Sequence, residues 1–168
     1  MSYELHGLIG ARAVVAGAAT RLRAPVVDLA QGFALVPGPL VPAGAVAGDG
    51  APAGSWPHGE PFWHLAATWE AAAVTASAQG PVAYVEAEFY GGVGSHAAVV
   101  WQGGVPVLGP VRSVSPPPEL LRSRPPRSID DALQVLGVRP GERGDEFDAL
   151  GLGRHRETSS WVTVQAAG

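Results

Sequence analysis

Val82-Ala83-Tyr84-Val85-Glu86-Ala87-Glu88-Phe89-Tyr90, then Gly91-Gly92-Val93-Gly94-Ser95, then His96-Ala97-Ala98-Val99-Val100-Trp101, is the stretch on which the fold turns. Its first nine residues alternate with the two-residue period of a strand. Val85, Ala87 and Phe89 face a core, and Tyr84, Glu86, Glu88 and Tyr90 share the other face. The glycines supply a turn, and 96–101 reads as the next strand. Gly103-Gly104 turns again into Val105–Leu108, so the stretch predicts a three-stranded antiparallel meander at the centre of a sheet. With Gly91–Gly94 as the hairpin loop, Glu86 and Glu88 sit opposite Val99 and Ala97, with Trp101 near Tyr84.

Upstream, Tyr3–Ile9 alternates like a strand, with Glu4, His6 and Leu8 on one side. Ala11–Arg23 places Val14, Val15, Ala18 and Leu22 on one helical face and stops before Pro25. Val26–Val36 reads as a strand or a strand pair broken near Gln31-Gly32. Residues 37–61 hold six prolines and six glycines and predict a long loop. From Pro61 to Ala78, Phe62, Leu65, Trp69, Ala72 and Ala76 step by three and four, a helix with proline in its first turn.

Downstream, residues 110–127 carry Pro116-Pro117-Pro118, Pro125-Pro126 and four arginines, and predict a second loop or extended arm. Ser128 then caps a helix to Leu136, with Asp131 three residues on and Gly137 at its end. Asp145–Leu150 reads as a short acidic helix, and Trp161–Val164 has the composition of a closing strand. The expected architecture is a single α+β domain spanning 1–168, a mainly antiparallel sheet with helices packed on one face.

The 168 residues, 46% of them hydrophobic and 15% charged, suit one globular domain with a core of its own. Cysteine is absent, which excludes disulfides, thiolate metal sites and a cysteine nucleophile. All 11 basic residues are arginine, with no lysine and no asparagine, the coding bias of a GC-rich genome. A net charge of −4 argues against nucleic acid, whose phosphates call for a concentrated cationic surface. Met1–Gly10 lacks the basic start of a secretory signal, and no apolar run reaches the roughly 20 residues of a membrane span. Cytoplasmic residence without membrane contact is the expectation.

Candidate chemistry centres on the polar strand face of Tyr84, Glu86, Glu88 and Tyr90, with His96 beside the turn and Trp101 across the hairpin. Two carboxylates beside aromatics can divide acid and base roles or hold a hard cation, whereas alternation alone makes a water-facing polar sheet. The glycine turn lacks the Lys-Ser or Lys-Thr of a phosphate loop and does not feed a helix. His6, His58, His64, His96 and His155 show no zinc-ligand spacing, so neither a metal nor a cofactor is predicted. The best histidine constellation is His96 with Glu86 or Glu88, or with Asp145, Glu146 and Asp148. No GxSxG is present. Trp56 and Trp63, in the aromatic run 56–64, form a contact surface or a cap over the core.

Val85–Gly94, Ala97–Trp101 and Asp145–Leu152, with Arg154, Arg156 and Trp161, resemble an uncharacterised family of small proteins from high-GC Gram-positive bacteria. The resemblance spans roughly the second half of the chain and implies a bacterial origin without a catalytic role. Together these observations favour a non-enzymatic module that binds another protein through the acidic and aromatic sheet face or the long loops, as an inhibitor, an immunity-like protein or an accessory subunit. The alternative is a small ligand-binding or hydrolase-like enzyme using the carboxylate pair. A homodimer through the sheet edge or Trp63 is compatible with either.

Overall fold

Consecutive apolar residues, rather than alternating ones, mark the middle of this sheet. Leu8-Ile9, Ala83-Tyr84-Val85 and Ala98-Val99-Val100 are runs in which neighbours point to opposite faces, and every one of these residues is buried. The sheet is therefore covered on both sides. A computed structural model describes residues 2–40, 62–114, 127–142 and 144–166, with side chains to Val162. Trp56, and the 41–61 and 115–126 portions of the two expected loops, lie outside the described residues.

The elements run β1 (Tyr3–Ala11), α1 (Arg12–Leu22), β2 (Val27–Asp28), β3 (Phe33–Pro37), α2 (Ala67–Ala76), β4 (Val82–Tyr90), β5 (Val93–Gln102), β6 (Val105–Val114), α3 (Ser128–Leu136), α4 (Glu146–Ala149) and α5 (Thr158–Ala166). Six antiparallel strands lie in the order β2-β3-β1-β4-β5-β6. The α+β class, the single domain and the antiparallel sheet are as expected. The meander β4-β5-β6, however, occupies one half of the sheet, and the centre is the pair β1 and β4, joined from Tyr3↔Phe89 to Gly10↔Val82.

Helices lie on both faces, not on one. On the first, Val15, Ala18 and Ala19 of α1 and Trp69, Ala72, Ala73 and Ala76 of α2 pack on Leu8, Val82, Tyr84, Ala97, Val99 and Trp101. On the second, Ile129, Ala132 and Leu133 of α3, with Leu150, Leu152 and Trp161, cover Leu5, Ile9, Leu35, Val85, Ala98 and Val100. An open second face would leave these aliphatic side chains in water, at a cost of about 1.5–3 kcal/mol for each large one.

The turn after β4 has two residues rather than four. Gly91 and Gly92 both take positive φ, 59° and 84°, the pair that a type I′ hairpin demands. The register becomes Tyr84↔Val99, Glu86↔Ala97 and Glu88↔Ser95, two residues from the expectation. An even shift preserves the faces, so the polar assignment of Tyr84, Glu86, Glu88 and Tyr90 survives.

Four boundaries also differ. β6 runs on to Val114, taking the first residues of the expected 110–127 loop into an edge strand, where Pro106 and Pro110 are tolerated. α2 begins at Ala67, because the amides of Trp63 and His64 are drawn to Glu86 instead of into a helical turn. Arg127, not Ser128, is the N-cap of α3, and the Ser128 hydroxyl bonds Ser113 at 2.7 Å. The expected closing strand Trp161–Val164 lies inside α5, since Trp161 fills the second core. Strand propensity yields there to tertiary packing.

Covering of the second face makes Leu133→Ala cost about 2–5 kcal/mol by urea denaturation. Val135→Ala, on the exposed side of the same helix, is expected to be near neutral; equal effects would mean that α3 does not cover the sheet.

Candidate functional site

Antiparallel pairing of β1 with β4 sets Glu4 beside Glu88 and His6 beside Glu86 on the face toward α1 and α2. Glu86 is only 7% exposed, and a carboxylate so placed needs donors. It has three. The Tyr84 hydroxyl donates to Oε1 at 2.9 Å, the His64 amide to Oε1 at 2.7 Å and the Trp63 amide to Oε2 at 2.8 Å. Burial, together with the Glu86 charge, pushes the Tyr84 hydroxyl well above its ordinary range, which keeps it a neutral donor. Glu86 thus pins the loop that carries Trp63 and His64.

That loop lays the His64 ring on the His6 ring, centroids 4.1 Å apart and planes within 4°. His6, 3% exposed, contacts the Pro39 carbonyl through Nε2 at 2.8 Å and the Glu4 carboxylate through Nδ1 at 3.2 Å. The hydrogen bond to His6 lowers the pKa of Glu4. Burial and the neighbouring His6 ring lower that of His64, favouring its neutral, lone-pair-bearing form. Glu4, His6 and His64 bring one ligand atom each to within 4.8 Å of one another, the candidate cation-binding group among the described residues. The cleft they share with Trp63, Glu86, Glu88, Ser95 and Arg112 has a free volume of about 10 Å³, room for one water.

Outward of this cleft the surface opens into two shallow grooves. One, of about 310 Å³, runs past Tyr3, Glu4, Leu40, Glu88, Tyr90 and Arg156. The other, of about 210 Å³, lies against Glu88, Tyr90, Val93, Arg112 and Val114. Glu88 borders all three hollows, and Trp63 (49% exposed) and Tyr90 (77%) stand at its sides.

Of the residues singled out from the sequence, Glu88, Tyr90 and Trp63 meet at this end of the sheet. Tyr84 and Glu86 lie beneath them as support. Trp101 pairs with Val82, diagonal to Tyr84, and is buried with it in the first core instead of standing at this surface. His96 belongs to the other face, because it pairs with Ala87. There it sits between Phe89 and Phe147, at 5.5 and 5.8 Å, and cannot join Glu86 or Glu88. Glu4, His6 and His64 were missed as a group, although the alternation Glu4, His6, Leu8 already put the first two on one face.

Burial drives the pKa of His96 down from 6.5 to about 4, against an opposing pull from Asp145. On the same side Asp130 accepts the Phe147 amide at 3.0 Å, and burial raises its pKa from 3.8 to about 6. No known protein family matches the chain, and no curated protein or solved structure shows significant similarity to it.

Two consequences are measurable. Glu86→Ala leaves two amides and the buried Tyr84 hydroxyl without their acceptor, at a cost of at least about 1–3 kcal/mol, and shifts the Trp63 fluorescence as the loop loosens. His96 and Asp130 oppose each other in acid. Between pH 6.5 and 4 the unfolded chain takes up a proton at His96 that the folded chain refuses, so acidification destabilises. Between pH 6 and 3.8 the folded chain takes up a proton at Asp130 that the unfolded chain lacks, so acidification stabilises. Denaturation across pH 4–7 is expected to show Asp130→Asn losing stability toward pH 4 and His96→Gln gaining it, relative to wild type. Profiles identical to wild type would remove both assignments.

Proposed function

We propose that this is a non-enzymatic interaction module that binds another protein at the Glu88 end of its sheet, in the manner of an inhibitor, an immunity protein or an accessory subunit of a bacterial cytoplasm. The observation that carries the reading is the surface around Glu88: two shallow grooves that share exposed Tyr90, with Leu40, Val93 and Val114 adding apolar area, and exposed Trp63 on the adjoining cleft. Exposed aromatics over well-packed support are what binding hot spots use. Glu4, Glu88 and Glu157 border the grooves beside Arg112 and Arg156, and the chain as a whole carries −4, which favours a partner presenting a basic face.

The hydrolase-like alternative draws less support. Both oxygens of Glu86 hold the Trp63–His64 loop in place, and the polar cleft admits one water rather than a substrate. Self-association is the nearer variant, because β6 is an edge strand that exposes Val105, Val107 and Val114.

Affinity capture from a lysate of the native host, with a Trp63→Ala/Tyr90→Ala variant as control, tests the proposal. A stoichiometric protein retained by wild type, lost from the variant and weakened by raised salt is the expected result. Capture of nothing, or of the same protein by both forms, overturns it.

A further inference from the structure

The imidazole cleft contains an unsettled contact. The Nε2 of His6 lies 2.8 Å from the Pro39 carbonyl oxygen, and a carbonyl only accepts, so the ring proton belongs on Nε2. The Nδ1 lone pair then faces the Glu4 carboxylate at 3.2 Å. Two lone-pair atoms at that distance need a proton or a cation between them. The Thr158 hydroxyl, 3.2 Å from the same nitrogen, has a single proton and cannot neutralise the carboxylate as well. Directly above lies the second imidazole, His64, itself held in place by the buried Glu86.

We propose that Glu4, His6 and His64 bind a divalent transition-metal ion of the zinc type, with a further coordination position left to water. Two imidazole nitrogens and one carboxylate oxygen suit such an ion, whereas magnesium and calcium favour all-oxygen sites. A ligating histidine ordinarily donates its other ring N–H to a carbonyl or carboxylate, and the His6–Pro39 contact has that form. Tetrahedral zinc with bonds of ~2.0–2.2 Å needs its donors ~3.4 Å apart. Glu4 and His6 already stand close to that separation, and His64, exposed on its loop, closes the rest by tilting out of the ring stack. Glu86 and Glu88 add negative potential to the cleft walls, opposed by Arg112. This site is independent of the interaction reading and stands or fails without it.

Calorimetric titration of the full chain, stripped with EDTA, with zinc chloride provides the test, with magnesium chloride as the hard-cation comparison. One zinc per chain is expected, with no heat from magnesium. Cobalt in place of zinc is expected to give the visible absorption of a nitrogen- and oxygen-ligated ion. Loss of an outer-shell partner costs a metal site up to about 100-fold in affinity, so His64→Ala and Glu4→Gln are each expected to cost at least that. His155→Ala serves as the histidine control and is expected to leave affinity unchanged. Because buried His6 is coupled to folding, the two variants on exposed or half-exposed side chains carry the test, with circular dichroism confirming their fold. Absence of zinc uptake, or uptake undiminished in folded His64→Ala and Glu4→Gln, overturns the assignment.

Discussion

Everything in this molecule is arranged around the β1–β4 ladder, a strand pair with helices on both sides. Water has no access to its middle, so each backbone group there must be paired within the sheet and each side chain must be apolar or fully partnered. Leu8, Ile9, Tyr84 and Val85 meet the first requirement by being apolar or nearly so. Glu86, paired with His6 across the ladder, meets the second with two amides from outside the sheet and the Tyr84 hydroxyl from within it. Among the described residues, the buried acid and imidazole of the ladder, Glu86 and His6, lie in its Tyr3–Phe89 half.

Glu86 is the hinge between core and surface. Removing a carboxylate from water costs several kcal/mol, and three short hydrogen bonds to the charged group offset it. The same bonds fix the chain from Trp63 to His64 ahead of α2, beside the stacking of His64 on His6. A single buried charge thus orders an exposed indole, an exposed imidazole and the entry into a helix. What looks in sequence like one of two equivalent strand carboxylates is divided by depth: Glu86 inside, Glu88 at the rim.

Much of this was legible beforehand. β4, its face assignment, the place of both glycine turns though not the length of the first, α1, the break near Gln31 and the Gly137 end of α3 follow from period, glycine placement and capping chemistry. The two-sided cover was also written in the chain, in the unbroken apolar run Ala97–Trp101, but alternation on β4 drew attention to a single open face. Long-range partners are what the chain does not spell out. His64 joins His6 only because Glu86, 22 residues on, captures its amide. Trp161 becomes helical because a core built by residues 5–152 has a place for it, and no local preference announces that.

The outer edge of β1 is finished in two parts. β3 pairs with Gly7–Ala11, and beyond it the Glu4 amide bonds the Arg156 carbonyl while the His6 amide bonds the Thr158 hydroxyl, 152 residues away. During synthesis at about 5–20 residues per second, those amides wait roughly 8–30 s for their partners. Over that interval β1 presents an incomplete edge, open to other chains. Completion of the β1 edge is thereby tied to a segment 152 residues further along the chain, a long-range closure of the kind that slows folding.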